Sequence, residues 1–364
     1  MKVTDVKTFH YRLPLKKGFS VTGKELKFKE GHILQITNEE GVQGIGEISP
    51  LPFVSSETFQ DNQNQLPKLK RFLSNQTVPA YSENLNGQFA IWVKDEKWTA
   101  SIQFGIEMAV LTLKANTRKI PLAQLVDKNF EPKVPINALL QGTNEDMISQ
   151  LRQLIQQGYR TIKLKVGRTS ILEVIKKAKA INSLLENKAL LRIDANQSLS
   201  LEDAVKLGHE IGLTTVEYIE EPLSHIDQIP EFYRETTLPV ALDESLRNLS
   251  LKDIKRLEGI EVIVIKPTLI GGIEKTKQLI HQAKQLGIRS VVSSSFETGL
   301  GIFVLANLAA CFTKNIPAGL DTLKWFEKDL LNKPLQIDNG AIDLNSFNLH
   351  KGNVNYDLLT EISD

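Results

Sequence analysis

The 364-residue sequence predicts an α/β chain, built as a closed (β/α) barrel preceded by a separate N-terminal α+β unit. Three observations predict it. From about Val134 onward, short apolar strands alternate with amphipathic helices. The repeat is roughly 25 residues, the size of one βα unit, and seven or eight such units close a barrel. Ahead of this run, strands are followed by helices instead of alternating with them, which marks an independent α+β unit. The length suits a barrel of roughly 200–250 residues with a second unit attached.

Lys2–Leu13, His32–Thr37 and Val42–Glu47 read as strands, with Gly41 and Gly44 supplying turn or bulge freedom. Ser55–Leu73 reads as a helix through apolar Phe59, Leu66, Leu69, Phe72 and Leu73, and Ser101–Ala115 as another. The polar stretch Ser74–Thr99 carries no assignable pattern. Barrel strands are predicted at Val134–Leu140, Thr161–Val166, Leu190–Asp194, Val216–Glu220, Val240–Asp243, Val262–Lys266 and Ser290–Ser294. Helices fall between them at Asn144–Gln157, Ile171–Leu185, Leu201–Ile211 and Ile273–Leu286. A doubly wound open sheet is the alternative, weakened because no Gly-x-Gly-x-x-Gly opens the first βα turn. Past Gly319 the pattern dissolves, and the last ~40 residues are expected to pack back on the N-terminal unit.

Composition narrows the function classes. Lys plus Arg number 44 against 43 Asp plus Glu, whereas a nucleic-acid binder normally carries a basic excess. The single cysteine, Cys311, follows the apolar run Phe303–Ala310 and reads as a buried helix residue. The N-terminus alternates like a strand and lacks the apolar core of a signal peptide. No apolar run reaches the ~18–20 residues that span a bilayer. The expectation is a cytoplasmic protein with no membrane or nucleic-acid partner, with a homo-oligomer left open.

Active sites of such barrels lie at the C-terminal ends of the strands. Read in order, those ends carry Lys163 and Lys165, Asp194, Glu220, Asp243 and Lys266. Residues two apart in a strand share a face, so Lys163 and Lys165 point together, as do Arg192 and Asp194. A charge inside an apolar barrel is costly unless it is paired or bound to metal. Three carboxylates without Cys or His suit Mg²⁺ or Mn²⁺. Either acid of Glu220-Glu221 and of Asp243-Glu244 can serve as ligand; the first of each continues the inward face and is favoured. Plain ion pairing without metal is the alternative. Lysines on both sides of a cation suit removal of a proton next to a carboxylate, with stabilisation of the enediolate that forms.

In order and spacing, Lys-Leu-Lys, Asp-Ala-Asn, Glu-Glu-Pro, Asp-Glu-Ser and Ile-Lys-Pro resemble the enolase superfamily in its muconate cycloisomerase branch. The resemblance covers the whole chain. It implies a modified (β/α)₇β barrel over residues 121–321. It also implies a capping unit over residues 1–120, completed by about 322–364. Asp194, Glu220 and Asp243 become metal ligands and Lys165 and Lys266 the acid/base pair, with Lys163 beside them. The runs Gly44–Pro52, Ser56–Thr58, Ser293–Gly301 and Gly319–Thr322, with Arg192 ahead of Asp194, are similar to the o-succinylbenzoate synthase family of menaquinone and phylloquinone biosynthesis.

That likeness implies a metal-dependent syn-dehydration of 2-succinyl-6-hydroxy-2,4-cyclohexadiene-1-carboxylate, with Lys165 as base and Lys266 staying cationic. Candidate substrate contacts are Arg192, Asn196, Ser294, Ser295, Gly299 and Lys17. Ser293–Ser295 with Gly299 and Gly301 read as an anion site at a helix N-terminus or as a tight turn. Leu15–Gly23 reads as a mobile lid or as a plain hairpin. Asn196 reads as orienting the metal site or a lysine, or as a turn residue. The rivals are an N-acylamino acid racemase, a dipeptide epimerase and a catalytically inactive barrel. Only Asp321 stands near the last strand, where the epimerases of this branch carry an Asp-x-Asp pair.

Overall fold

The computed structural model describes residues 1–140, 144–166, 169–185, 188–212, 214–347 and 351–363. The chain opens with an antiparallel sheet of β1 (Val3–Pro14), β2 (Phe28–Asn38) and β3 (Gln43–Ile48). In β1, Tyr11 and Leu13 are buried and Arg12 between them is exposed, the period of a half-buried strand. Helix α1 (Phe59–Leu73) starts later than Ser55 because Thr58, still extended, caps it: its side chain accepts from the Asp61 N–H, and Asp61 returns the bond.

Helix α2 (Ala100–Arg118) is buried along most of its length against β3. The glycines of Gly44-Ile-Gly46 explain how it gets there. A Cβ on Gly46 would lie 1.9 Å from the Gly105 carbonyl oxygen, and one on Gly44 would lie 2.1 Å from that of Ala109. The motif is first a packing requirement.

His32 of β2 is fully buried, stacks on Phe59 at 4.5 Å and has no hydrogen-bond partner at either ring nitrogen. Burial, and after it His10, push its pKa from 6.5 down to about 4. The unfolded chain therefore takes up this proton at higher pH than the folded one. Stability is lost as pH falls through that window, by up to about 3 kcal/mol. His32→Phe is expected to move the acid-unfolding midpoint to lower pH; an unchanged midpoint would show that another group sets it.

The second body is parallel. Its strands are β4 (Ala138–Leu140), β5 (Thr161–Lys165), β6 (Leu190–Asp194), β7 (Val216–Glu220), β8 (Val240–Leu242), β9 (Ile260–Ile265) and β10 (Arg289–Val292), hydrogen-bonded in sequence order. Helices α3 (Asn144–Gln156), α4 (Ile171–Leu185), α5 (Leu201–Ile211), α6 (Ile229–Thr236), α7 (Leu251–Lys255), α8 (Ile273–Gln285) and α9 (Gly299–Phe312) follow them in turn.

Residues 317–319 close the ring as an eighth strand. On one side Ala318 N–H donates to Pro135 O (2.8 Å) and Asn137 N–H to Ala318 O (3.0 Å). On the other, Gly319 N–H donates to Val292 O (2.9 Å) and Ser294 N–H to Gly319 O (3.0 Å). Tyr218, Ala241, Val262, Val264 and Val291 pack together in a cluster of their own among the barrel strands. The predicted strand Val134–Leu140 is two pieces: Lys133–Pro135 pairs antiparallel with Ala341–Asp343, residues 135–137 take up the closing strand, and β4 pairs with β5. Further along the tail, β11 (Leu359–Glu361) adds to the edge of β1. The tail therefore contacts both bodies. Among the described residues no helix is long and apolar enough to cross a membrane.

Candidate active site

The charges predicted at the strand ends converge. Lys163 Nζ lies 3.0 Å from Asp194 Oδ2 and 2.7 Å from Glu220 Oε2, bridging the next two strands. Lys266, one residue beyond β9, pairs with Asp243, one residue beyond β8. Asp194, Glu220 and Asp243 are all buried.

Burial opposes the charge on Lys163, yet Asp194 and Glu220 hold its pKa well above the ordinary value. Burial likewise opposes Lys266, while Asp243 and then Glu244 raise it. Both ammoniums are fixed cations. Asp194 is held below the usual carboxylate range by Lys163 and Lys165 in spite of its burial. Glu220 goes the other way: burial raises it, and Asp194 and Asp243 add to what Lys163 only partly offsets.

Lys165 shares the face of Lys163 one step nearer the mouth, and it is exposed. Unlike the other two lysines, it has no ion pair among the described residues.

The second acid of each pair has a different surrounding. Glu221 is saturated, accepting from Asp243 N–H (2.8 Å), Ser245 N–H (2.7 Å), Ser245 Oγ (2.8 Å) and Gln197 Nε2 (3.0 Å). It shapes the turn that carries Asp243. Glu244 receives Asn196 Nδ2 at 2.8 Å, and its Oε2 is buried without a partner. Asn196, at φ +42°, also donates its N–H to Asp194 Oδ1 (3.1 Å). It therefore braces two carboxylates, Asp194 and Glu244.

Among the described residues no three ligating side chains stand together as placed; lysine ammoniums meet the carboxylates instead. The donor set still fits a hard divalent cation. It offers only carboxylate oxygens, one buried oxygen lacks any partner, and burial together with neighbouring carboxylates pushes Glu220 upward.

Several expected substrate contacts are engaged elsewhere. Arg192 is fully buried; it donates to Glu217 (2.7 Å), Asn137 Oδ1 (3.0 Å) and Pro317 O (2.8 Å), so it ties the closing strand to the barrel and offers no exposed face to a ligand. Ser295 is buried and gives both N–H and Oγ to Glu297. Ser294 Oγ is 2.9 Å from Thr322 Oγ1.

The helix N-terminus predicted to take an anion is filled from within. Glu47 of the capping sheet accepts Thr298 N–H (3.0 Å), Thr298 Oγ1 (2.9 Å) and Gly301 N–H (2.8 Å). Asp329 accepts Gly299 N–H at 2.8 Å. Two carboxylates of the chain already satisfy these donors.

The Leu15–Gly23 segment is a hairpin, with Ser20–Val21 paired to Lys24–Glu25 around Thr22-Gly23, both at positive φ. Phe19 anchors it by ring contacts to Phe296 (4.5 Å) and Trp325 (5.5 Å). Lys17 stays exposed. Sequence reasoning gave no role to Glu47 or Glu297, and it held Glu221 only as the alternative ligand to Glu220. Only the Glu-Glu doublet carried a local signal for any of them.

Residues 146–347, more than half the chain, match a family model described as enolase C-terminal domain-like, and residues 3–113 match one described as MenC, N-terminal domain. The o-succinylbenzoate synthase of Edwardsiella ictaluri is 32% identical over 89% of this chain and 91% of its own length. Protein PHYLLO of Arabidopsis thaliana is 29% identical over 92% of this chain, which spans 22% of that longer protein. In fold, the N-succinyl Arg/Lys racemase of Bacillus cereus is similar, with a TM-score of 0.84 at 23% identity over 100% of both chains. The chain thus belongs to the o-succinylbenzoate synthase family of the enolase superfamily.

Proposed function

We propose that this chain, an o-succinylbenzoate synthase and so a carbon–oxygen lyase, dehydrates 2-succinyl-6-hydroxy-2,4-cyclohexadiene-1-carboxylate through the three lysines of its barrel mouth. The observation that carries the reading is the division among them. Lys163 and Lys266 are ion-paired and held cationic, and Lys165 alone is unpaired and exposed toward the mouth.

Members of the superfamily depend on a divalent metal, and we assign that role to Mg²⁺, with Mn²⁺ as substitute, held by Asp194, Glu220 and Asp243. A divalent cation here supplies positive charge to the substrate carboxylate and so acidifies the adjacent C–H. Lys165 takes that proton. Lys266 faces the negative charge that develops on the carboxylate and stays protonated because Asp243 and Glu244 hold it so. Lys165 then returns its proton to the departing hydroxyl on the same face. Water leaves, and the ring becomes aromatic.

In this reading residues 1–120 with about 322–364 form the cap and residues 121–321 the barrel, in a cytoplasmic enzyme acting on a small-molecule carboxylate. Racemisation of N-acyl amino acids is the second reading, favoured by the fold likeness to a racemase alone.

The test is an absorbance assay of purified protein with the cyclohexadiene carboxylate, with Mg²⁺ and with excess EDTA. Rapid aromatisation that EDTA abolishes is expected. No turnover by folded, metal-loaded protein would move the reading to racemisation.

A further inference from the structure

A buried polar cluster lies where the capping sheet meets the barrel, and proton transfer as described above makes no use of it. Its centre is Glu297, fully buried. Glu297 Oε1 accepts from Thr268 Oγ1 (2.5 Å) and Ser295 Oγ (2.7 Å), and Oε2 accepts from Ser295 N–H (2.7 Å).

Thr268, itself fully buried, belongs to the short turn that leaves Lys266. In that turn the N–H groups of Leu269 and Ile270 close on the Lys266 carbonyl at 2.9 and 3.0 Å. One carboxylate therefore joins the backbone leaving the sixth barrel strand to the backbone leaving the seventh. Between Ser295 and Glu297, Phe296 sits at φ +61°, a conformation a bulky side chain keeps only where its surroundings over-determine it. Its ring packs on Phe19 of the cap hairpin.

The cluster reaches into the capping sheet. Lys29 of β2 is buried and donates to Pro50 O (2.7 Å) and Ser49 O (3.4 Å). Burial lowers its pKa to about 8, and Glu297 is the foremost of the carboxylates opposing that fall, ahead of Glu47 and Glu57.

We propose that Glu297 is a positioning residue for Lys266, acting through Thr268 to fix the backbone from which the Lys266 ammonium reaches Asp243. A lysine has a long flexible stem, so where its head rests depends on how firmly its Cα is held. Misplacing a group by about 1 Å can cost on the order of 10²-fold in rate. The inference rests on the role given to Lys266 in the dehydration.

The test compares Thr268→Val, Thr268→Ser and Glu297→Gln in the full-length, metal-loaded enzyme. Thr268→Val removes the hydroxyl at nearly constant shape. It is expected to lower kcat by about 10- to 100-fold with KM and metal affinity within about 3-fold of wild type. Thr268→Ser, which restores the donor, is expected to recover kcat. Equal kcat in the Val and Ser variants would overturn the proposal, as would a Thr268→Val loss confined to KM. Glu297→Gln is expected to follow Thr268→Val; the Thr268 pair decides the matter if that variant does not fold.

The ¹H–¹⁵N signal of the Lys266 ammonium separates this proposal from the reaction assignment. In Thr268→Val it is expected to shift or broaden while that of Lys163 stays. If it does so in an enzyme that fails to turn over the cyclohexadiene carboxylate, the reaction reading falls and the positioning role stands. An unchanged Lys266 signal overturns the positioning role whatever the turnover.

Discussion

Lys165→Ala is expected to lower kcat by about 10³- to 10⁴-fold, the upper part of the range for a lost general base, with thermal stability and divalent-metal affinity unchanged. The structure makes these effects separable. Lys165 is exposed and has no ion pair among the described residues, so its removal leaves buried Asp194 still paired with Lys163. Substitutions at such positions usually move stability by less than about 0.5 kcal/mol.

Lys163→Ala provides the contrast. It strips both Asp194 and Glu220 of their ammonium, and loss of one partner from a buried pair costs about 3–5 kcal/mol. Measured side by side, the two variants distinguish a base from a charge-compensating cation. Activity of Lys165→Ala within about 10-fold of wild type would remove the base assignment. A matching loss of stability in both variants would make Lys165 structural.

The strand-end charges were legible in the sequence because two physical rules act together. Strand alternation puts Lys163 with Lys165 and Arg192 with Asp194, and parallel barrels present these ends at one level. Alternation cannot say how far a side chain reaches. Arg192 shares the face of Asp194, but its guanidinium is fully buried and held by Glu217 and Pro317 O.

The Ser293–Gly301 run was misleading for a different reason. Its glycines and hydroxyls do make an anion site, but the anion is Glu47, 251 positions away in sequence from Thr298. A Cβ on Gly301 would fall 2.7 Å from Glu47 Oε2 and 2.5 Å from Glu297 Cβ, so the glycine makes room for the chain's own carboxylates. The closing strand carries no pattern of its own, because residues 317–319 are too short to show a period, and only the family resemblance placed a last strand near Asp321. The polar stretch Ser74–Thr99 gained an account only from its partner in the fold. Its short helix Gln88–Trp92 is capped by Glu274 of α8, which accepts Gly87 N–H at 2.7 Å and Ala90 N–H at 2.9 Å.

Asp243→Asn is expected to weaken divalent-metal binding by more than about 100-fold, beyond the 10- to 100-fold typical of a group that only orients a ligand. The substitution also takes from Lys266 its foremost stabilising charge, so the Lys266 pKa is expected to fall. Calorimetric titration with Mn²⁺ at fixed pH reads the first effect apart from the second.

Glu244→Gln is the necessary companion, because Glu244 has the oxygen without a partner and lies beside Asp243. Glu244 Oε1 is bound to Asn196, which also holds Asp194 through its backbone, so Glu244 already has an orienting place in the frame. Among the described residues the Asp243 carboxylate meets the Lys266 ammonium and no neutral donor, and an incoming cation can displace that ammonium. A larger loss of affinity in Asp243→Asn than in Glu244→Gln therefore assigns the third ligand to Asp243. The reverse order would move the ligand one residue on and leave Asp243 as the partner that holds Lys266.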